Sequence, residues 1–320
     1  MTGRIMVLGG AGQFGRAAAM AFEAAGWQVA SLVRGRSATL SAPGTEIVEV
    51  DARDRSAVVA AAAGADVVLH ALNVPYTEWQ QLAVPFAETA IAAARDNGAT
   101  LVAPGNVYNY GAGMPPRLDD ATTMQPTSRK GELRVEIEER LRRAAAAGTR
   151  TVILRAGDFF GADALGSWFD RVIIKHIEVG RLTYPGPLDV VHEWAYLPDL
   201  AEALVRLVAA RERLEPFAQF GFAGHAVTGR AFTAAISRAC RREFKADYMP
   251  WRMLKLMGMV VPVFRELSEI EYLWSTPHAI DGARLAGVIG DIPHTSLDRA
   301  IAAALAALGF RRRAGGQNGR

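Results

Sequence analysis

The stretch Arg4–Arg16, RIMVLGGAGQFGR, constrains this chain more than any other. Ile5, Met6, Val7 and Leu8 form a continuous apolar run, as expected of a strand buried on both faces of a parallel sheet. Gly9, Gly12 and Gly15 follow at fixed spacing, and the alanine-rich segment Ala17–Ala25 predicts a helix that stops at Gly26. A strand, a glycine turn and a helix in this order form the context of a dinucleotide fingerprint. Gly9 permits the tight turn, Gly12 lets the backbone approach a pyrophosphate, and Gly15 lets the helix pack closely on the strand. The helix start then turns free N–H groups toward the phosphates. Gln13 and Phe14 fall inside this turn and join the expected cofactor contacts. The alternative is a glycine turn with a structural role alone.

The alternation continues. Strands are predicted at Trp27–Val33, Glu46–Val50, Asp66–Leu72, Ala99–Ala103 and Thr149–Arg155, with helices at Arg55–Ala63, Glu78–Asn97 and Arg129–Ala147. Six strands alternating with helices predict an α/β fold with a doubly wound parallel sheet, a Rossmann fold over residues 1–160. Past Gly161 the alternation fails. Leu165–Val179 reads as a helix and Leu182–Pro187 as a short strand and turn. Val190–Tyr196 and Pro198–Ala210 read as a strand and a helix that rejoin the sheet. Phe217–Phe222, a helix near Thr228–Cys240 and Trp251–Trp274 then build a mixed cap, and Leu297–Leu308 is a last amphipathic helix. Residues 161–312 are therefore expected to form a smaller mixed α/β substrate-binding region interleaved with the last sheet strands, followed by a flexible tail at 313–320.

The composition narrows the function classes. With 50% hydrophobic residues over 320 positions the chain can bury a large core. Its one cysteine, Cys240, excludes a disulfide framework or a cysteine-rich zinc site and fits a cytoplasmic protein. No His-Glu-x-x-His or Cys-x-x-Cys pair points to a metal, and no Gly-x-Ser-x-Gly elbow to a hydrolase. The longest apolar run, Leu256–Phe264, falls far short of the roughly 20 residues needed to cross a bilayer. The Met-rich stretch Met249–Phe264 is expected to be an apolar lid or core element, with a membrane-surface helix as the alternative. Net charge is +3, and the arginines are scattered over helices that also carry Glu, so no nucleic-acid or membrane partner is expected. Arg311–Arg313 read as part of a frayed terminus. A small-molecule substrate and a monomer or homodimer are the partners expected.

Nucleotide choice is set near the end of the second strand. A carboxylate roughly 20 residues past the glycines would bind the ribose 2′-hydroxyl of NAD. Arg34 stands there, with Arg36 two residues on, and no Asp or Glu lies between Glu23 and Glu46. A guanidinium suits a 2′-phosphate, so NADP (NADPH) is favoured and NAD is the alternative. The other reading of both arginines is ordinary loop residues. Asp51, beside Ala52, is placed to accept from an adenine amino group, while Asp54 is a helix N-cap. Ala71, Leu72 and Asn73 at the end of the fourth strand, Pro104 and Gly105 of the fifth, and Gly157 beyond the sixth complete the expected cofactor set. His70 lies inside the fourth strand and reads as a packed histidine.

The glycine turn, Arg34, Asp51, the loop Asn106–Gly111 and the segment Trp194-Ala-Tyr-Leu-Pro-Asp-Leu-Ala201 together resemble the extended short-chain dehydrogenase/reductase family, also called the NAD(P)-dependent epimerase/dehydratase family. The resemblance covers about residues 3–310. It implies NAD(P)-dependent chemistry and a Tyr-x-x-x-Lys signature assisted by a Ser or Thr. Here no tyrosine has a lysine four residues later. Lys130 stands at the family's lysine position, Pro126 at that of the tyrosine, and Asn106 at that of the serine. The chain thus looks like an atypical member, with the cofactor cradle kept and the proton-transfer apparatus altered.

Lys130, Asn106, Tyr108 and Tyr110 are the catalytic candidates, and the wall residue His192 is a candidate proton shuttle. Lys130 is placed either to hold the nicotinamide ribose or as a solvated lysine in a first helical turn. Asn106 can donate an amide hydrogen bond to a developing oxyanion. Tyr108 or Tyr110 is either a displaced proton donor or a packing residue. His192 can shuttle protons if it faces the pocket. Tyr76, Trp79, Phe159, Phe160, Trp168 and Trp194, with His192, are the expected substrate walls, Trp274 is a further candidate, and their aromatic character points to an apolar substrate. Two functions remain open. One is an NADP(H)-dependent oxidoreductase for a small, largely apolar carbonyl or enone. The other is a non-catalytic NAD(P)-binding redox sensor. An epimerase or dehydratase is the residual alternative.

Overall fold

The fold is described from a computed structural model over residues 2–35, 42–162 and 166–310. The chain begins β1 Arg4–Leu8, α1 Gln13–Ala24, β2 Gln28–Val33, β3 Glu46–Glu49, α2 Arg55–Ala61, β4 Val67–His70, α3 Trp79–Asp96 and β5 Thr100–Gly105. There follow β6 Arg117–Leu118, α4 Arg129–Ala146, β7 Thr151–Arg155 and β8 Asp158–Phe160. Next come β9 Arg181–Tyr184, β10 Val191–Tyr196, α5 Leu197–Ala209, β11 Phe217–Gly221, β12 His225–Thr228 and α6 Gly229–Cys240. Last are β13 Lys245–Tyr248, α7 Trp251–Gly258, α8 Pro262–Ser268, β14 Ala279–Ile280, α9 Ala283–Ile289 and α10 Leu297–Ala307.

The central sheet has seven strands in the order β11-β7-β5-β4-β1-β2-β3, and every pair in it is parallel. β1, β4 and β7 are buried along almost their whole length, as apolar runs covered on both faces must be. One core cluster packs α1 and α5 on one face of the sheet. A second packs α2, α3 and part of α4 on the other. The order reverses between β1 and β4. The crevice there, at the carboxyl ends of the strands, is where ligands of doubly wound sheets bind.

The local signals at element ends behave as their chemistry requires. Asp54 caps α2 by accepting from Ala57 N, and Ser128 caps α4 by accepting from Gly131 N. His70 is buried within β4, and burial holds its pKa down to about 4.

Two expectations need correction. Val190–Tyr196 was expected to rejoin the main sheet. Instead β10 lies between β8, in parallel, and β12, in antiparallel, in a separate three-stranded sheet. The seventh central strand is β11, from the stretch assigned to the cap. An apolar strand buried on both sides satisfies either sheet, so its composition does not choose between them. Within Leu165–Val179, the described residues form a π-helical turn, Phe169–Ile173, followed by bends. The Asp170 carboxylate accepts from Gly166 N (2.7 Å) and Ser167 N (2.9 Å), while Ser167 Oγ accepts from Asp170 N, a capping pair that marks where the turn starts.

A third apolar cluster joins β8, β9, β10, α6 and α10 below the crevice. Among the described residues no helix is long and apolar enough to cross a membrane. Arg36 and Arg311–Arg313, with the rest of the tail, lie outside the described residues.

Candidate active site

The glycine turn sits at the switch point and is closed by backbone. Gly9 has φ +95°, which only glycine adopts without strain, and a Cβ there would come within 2.6 Å of Ala71 O. A Cβ on Gly15 would lie 2.3 Å from Gly9 O, so α1 rests directly on the turn. A Cβ on Gly12 would meet only Gly9 O, at 3.4 Å, which leaves its outer side open. A tight interior behind an open outer face is the shape a pyrophosphate needs. Ala71 and Leu72 form the wall behind Gly9. Phe14 stacks on Phe159 with centroids 5.7 Å apart. Gln13 donates from Nε2 to Asp170 Oδ2 (3.1 Å), drawing the 166–170 segment against the turn.

The other cofactor candidates ring the same edge. Arg34 is exposed just past β2. Asp51, exposed past β3, accepts from Arg53 N, while Ala52 is buried. Pro104 and Gly105 end β5, and Gly157 touches β10 so closely that a Cβ would lie 2.1 Å from Glu193 O. Asn73 Oδ1 accepts from Trp79 Nε1 (3.3 Å), which also donates to Val74 O (3.0 Å).

Two tyrosines meet above the carboxyl ends of β4 and β5. Tyr76 Oη and Tyr108 Oη are 3.0 Å apart. Trp79 packs edge-on against the Tyr76 ring at 5.3 Å and near the Tyr108 ring at 6.2 Å. Burial pushes the Tyr76 hydroxyl up to about 12 and Tyr108 well above its ordinary value. Both phenols therefore stay protonated through neutral pH. The Arg134 guanidinium covers the Trp79 ring at 5.0 Å, adding positive charge beside them.

The remaining catalytic candidates are held differently. Lys130 is buried in the first turn of α4, and its Nζ donates to Glu266 Oε2 and Glu269 Oε2, each at 2.5 Å. It also lies 5.2 Å from the Tyr76 ring centroid. It is therefore not a solvated lysine. Asn106 Oδ1 accepts from Tyr108 N (3.1 Å), so this side chain shapes the loop that carries Tyr108. Tyr110 is buried against Arg155, whose guanidinium sits 5.2 Å from its ring and pairs with Glu138.

On the substrate side, His192 Nε2 and Asp158 Oδ2 are 2.9 Å apart. His192 stacks face to face on Trp274 at 4.2 Å and meets the His278 ring edge-on at 4.7 Å. Trp168 packs on Trp274 at 5.1 Å. Phe160 and Trp194 are fully buried in the third cluster, where they pack in the core and do not face the crevice. Among the expected walls, the structure thus brings Tyr76 and Trp79 to Tyr108, and His192 to Trp168 through Trp274. Sequence reasoning missed Asp158, Arg134 and the two glutamates. One signal was legible: Glu266 and Glu269 stand three apart, on one face of a helical turn, where two carboxylates can share one lysine.

Comparison with known proteins agrees with this architecture. UDP-glucose 4-epimerase from Brucella ovis in complex with NAD superposes at TM-score 0.76, with 18% identity over 98% of this chain and 100% of that one. L-threonine dehydrogenase from Phytophthora infestans superposes at TM-score 0.76, with 18% identity over 96% and 99%. The UDP-Glc/GlcNAc 4-epimerase from Campylobacter jejuni gives TM-score 0.71 and 16% identity over 96% and 99%. No curated protein matches the chain. Residues 5–220 match the family model of the NAD dependent epimerase/dehydratase family. With this match over most of its length, its seven-stranded parallel sheet and its glycine turn, the chain belongs to the NAD dependent epimerase/dehydratase family of NAD(P)-binding, Rossmann-fold oxidoreductases.

Proposed function

We propose that the protein is an NADP(H)-dependent oxidoreductase that reduces a small, largely apolar carbonyl or enone. The observation that carries this is the Tyr76–Tyr108 hydroxyl pair above the carboxyl edge of the sheet. When bound, the reduced nicotinamide supplies a hydride. The protein must then deliver a proton to the oxygen on which negative charge develops. Tyr108 is the proposed donor. Tyr76 orients its hydroxyl, and Arg134 adds positive charge nearby. Gly9, Gly12 and Gly15 hold the pyrophosphate, and Arg34 and Arg36 select the 2′-phosphate. Tyr76, Trp79 and Trp168 supply an apolar wall. The structural neighbours are UDP-sugar 4-epimerases and an L-threonine dehydrogenase. An aromatic wall with Asp158 on its polar side favours an uncharged ligand over a nucleotide sugar, whose diphosphate needs cationic partners.

One observation favours a second reading, a non-catalytic NAD(P)-binding redox sensor. Lys130 is engaged by Glu266 and Glu269 and not free for a nicotinamide ribose. Incubating the purified protein with NADPH and a panel of apolar aldehydes, ketones and enones decides between them. Consumption of NADPH with a matching product supports the oxidoreductase. Tight NADPH binding with no turnover across the panel supports the sensor.

A further inference from the structure

We propose that the tip formed by α7, α8 and the turn between them rests on an anionic lipid surface. α7 carries apolar residues on two sides, with Arg252 and Lys255 between them in sequence. One side faces the protein: Leu254 and Gly258 are buried, and Trp251 Nε1 donates to Pro185 O (2.5 Å). The other side presents Met253, Leu256 and Met257 to solvent, and Met259, Val260, Val261 and Val263 continue the surface around the turn. The solvent side of α7 therefore exposes apolar area that the protein's own core does not cover. Scattered exposed hydrophobics need no explanation, but a contiguous patch of this kind marks an interaction surface.

The patch is preformed. Lys130 holds Glu266 and Glu269 from beneath, Arg129 N donates to Glu269 (2.6 Å), and Lys255 pairs with Glu271. A Cβ on Gly258 would come within 2.8 Å of Arg265 N, so the two helices are closely packed at the turn.

Shape and charge select the occupant. Exposure is 63% at Leu256, 76% at Met259 and 84% at Val260, so the patch is a convex apex. A convex apex enters a deformable acyl layer more readily than it forms a broad contact with a rigid partner. From Met249 to Arg265 the chain has no Asp or Glu, while Arg252, Lys255 and Arg265 provide cations around the apolar residues. Lys255 and Arg265 pair with Glu271 and with Glu266 of α8, yet their side chains remain 57% and 69% exposed. A cationic rim around an apolar apex matches anionic headgroups over acyl chains. The segment is well short of the roughly 20 residues needed to span, so it lies on the bilayer and does not cross it.

The test is cosedimentation of the full chain with phosphatidylcholine vesicles, with and without phosphatidylglycerol, at low and high salt. The comparison is with the triple variant Leu256→Gln/Met259→Gln/Val260→Gln, whose melting temperature and NADPH binding verify the fold. The parent is expected to bind the phosphatidylglycerol vesicles, less so at high salt, and the variant about tenfold more weakly. Failure of the parent to bind, or equal binding by parent and variant, overturns the proposal. So does sedimentation velocity showing that the tip joins two copies instead. The assay needs no turnover, so its failure is distinguishable from failure of the proposed chemistry.

Discussion

Tyr108→Phe isolates the hydroxyl from everything else the side chain does. The ring stays, and with it the packing on Trp79 at 6.2 Å. The substitution removes one 3.0 Å hydrogen bond between neutral groups and leaves Tyr76 Oη without that partner. The cost in stability is about 1 kcal/mol, small enough for the variant to fold and bind NADPH normally. The cost in catalysis is larger. General acid catalysis contributes roughly 10²–10⁴-fold, or about 3–5 kcal/mol of the barrier at 1.36 kcal/mol per decade. Water replaces the lost donor in part, so kcat should fall about 10²–10³-fold with KM for NADPH unchanged. Tyr76→Phe should fall less, because it removes only the orienting partner. The pH profile supplies a second readout. Burial raises both phenols, Tyr76 to about 12, so the donor stays protonated and kcat should not decline on the alkaline side below about pH 10. The assay is steady-state NADPH oxidation with the best substrate from the carbonyl panel. A Tyr108→Phe enzyme within about threefold of the parent kcat would refute Tyr108 as donor, since that is below the smallest general-acid contribution.

Three further outcomes are expected. Arg34→Ala should weaken NADP binding by about 1.5–3 kcal/mol, the scale of a hydrogen bond to a charged group, and leave NAD nearly unchanged; titration calorimetry with both nucleotides checks this. Glu138→Ala leaves Arg155 buried without its bidentate partner (2.7 and 3.0 Å), at a cost of about 3–5 kcal/mol in urea unfolding, whereas replacing both by apolar residues should recover much of it. The pH dependence of stability combines two opposed effects. His70, His225 and His278 are held down to about 4 by burial, below their unfolded value of 6.5, so their contribution is present above pH 6.5 and is lost as pH falls toward 4. Burial pushes Glu193 up to about 7 from 4.5, so it disfavours the folded state increasingly as pH rises across that interval. Melting temperature should therefore rise between pH 4 and 6.5, and rise more steeply in Glu193→Gln.

The parts of this molecule legible in its sequence are those whose cause is local. The turn needs glycine at Gly9 and Gly15 because its own backbone and Ala71 leave no room for a Cβ there, while Gly12 keeps the outer face open, so spacing alone identifies it. The cap at Asp54 is likewise decided within four residues. The partition of the later strands is not local. β10 and β11 are both short and mostly buried, and which of them extends the main sheet depends on whether β7 or β8 is its neighbour. Asp170 shows a middle case: Ser167 and a carboxylate three residues on form a visible capping pair that marks where the turn starts, but the pair does not encode that the turn is π-helical and short. At the site, Tyr76 and Tyr108 were each visible as aromatic loop residues. Their meeting requires the β4–β5 register that pairs Leu69 with Val102, which no single stretch encodes.

That register carries a consequence for how the proposed donor is supported. The family resemblance places tyrosine and lysine one helical turn apart, so a single helix would fix both. Here the two hydroxyls rise from loops after adjacent parallel strands, and the sheet fixes their separation. Asn106 contributes by turning its own side chain back to Tyr108 N, which sets the loop's direction. Lys130 is then released from acting on a neighbouring tyrosine. Buried as it is, it needs carboxylate partners, and Glu266 and Glu269 meet that requirement from 136 and 139 residues away. The ion cluster that satisfies the lysine is also what pins α8 beside Tyr76, which it approaches within 5.2 Å. Moving the proton donor from α4 to the sheet edge and anchoring the α7–α8 segment are on this argument one rearrangement. A variant that frees Lys130 should loosen the tip and the tyrosine pair together.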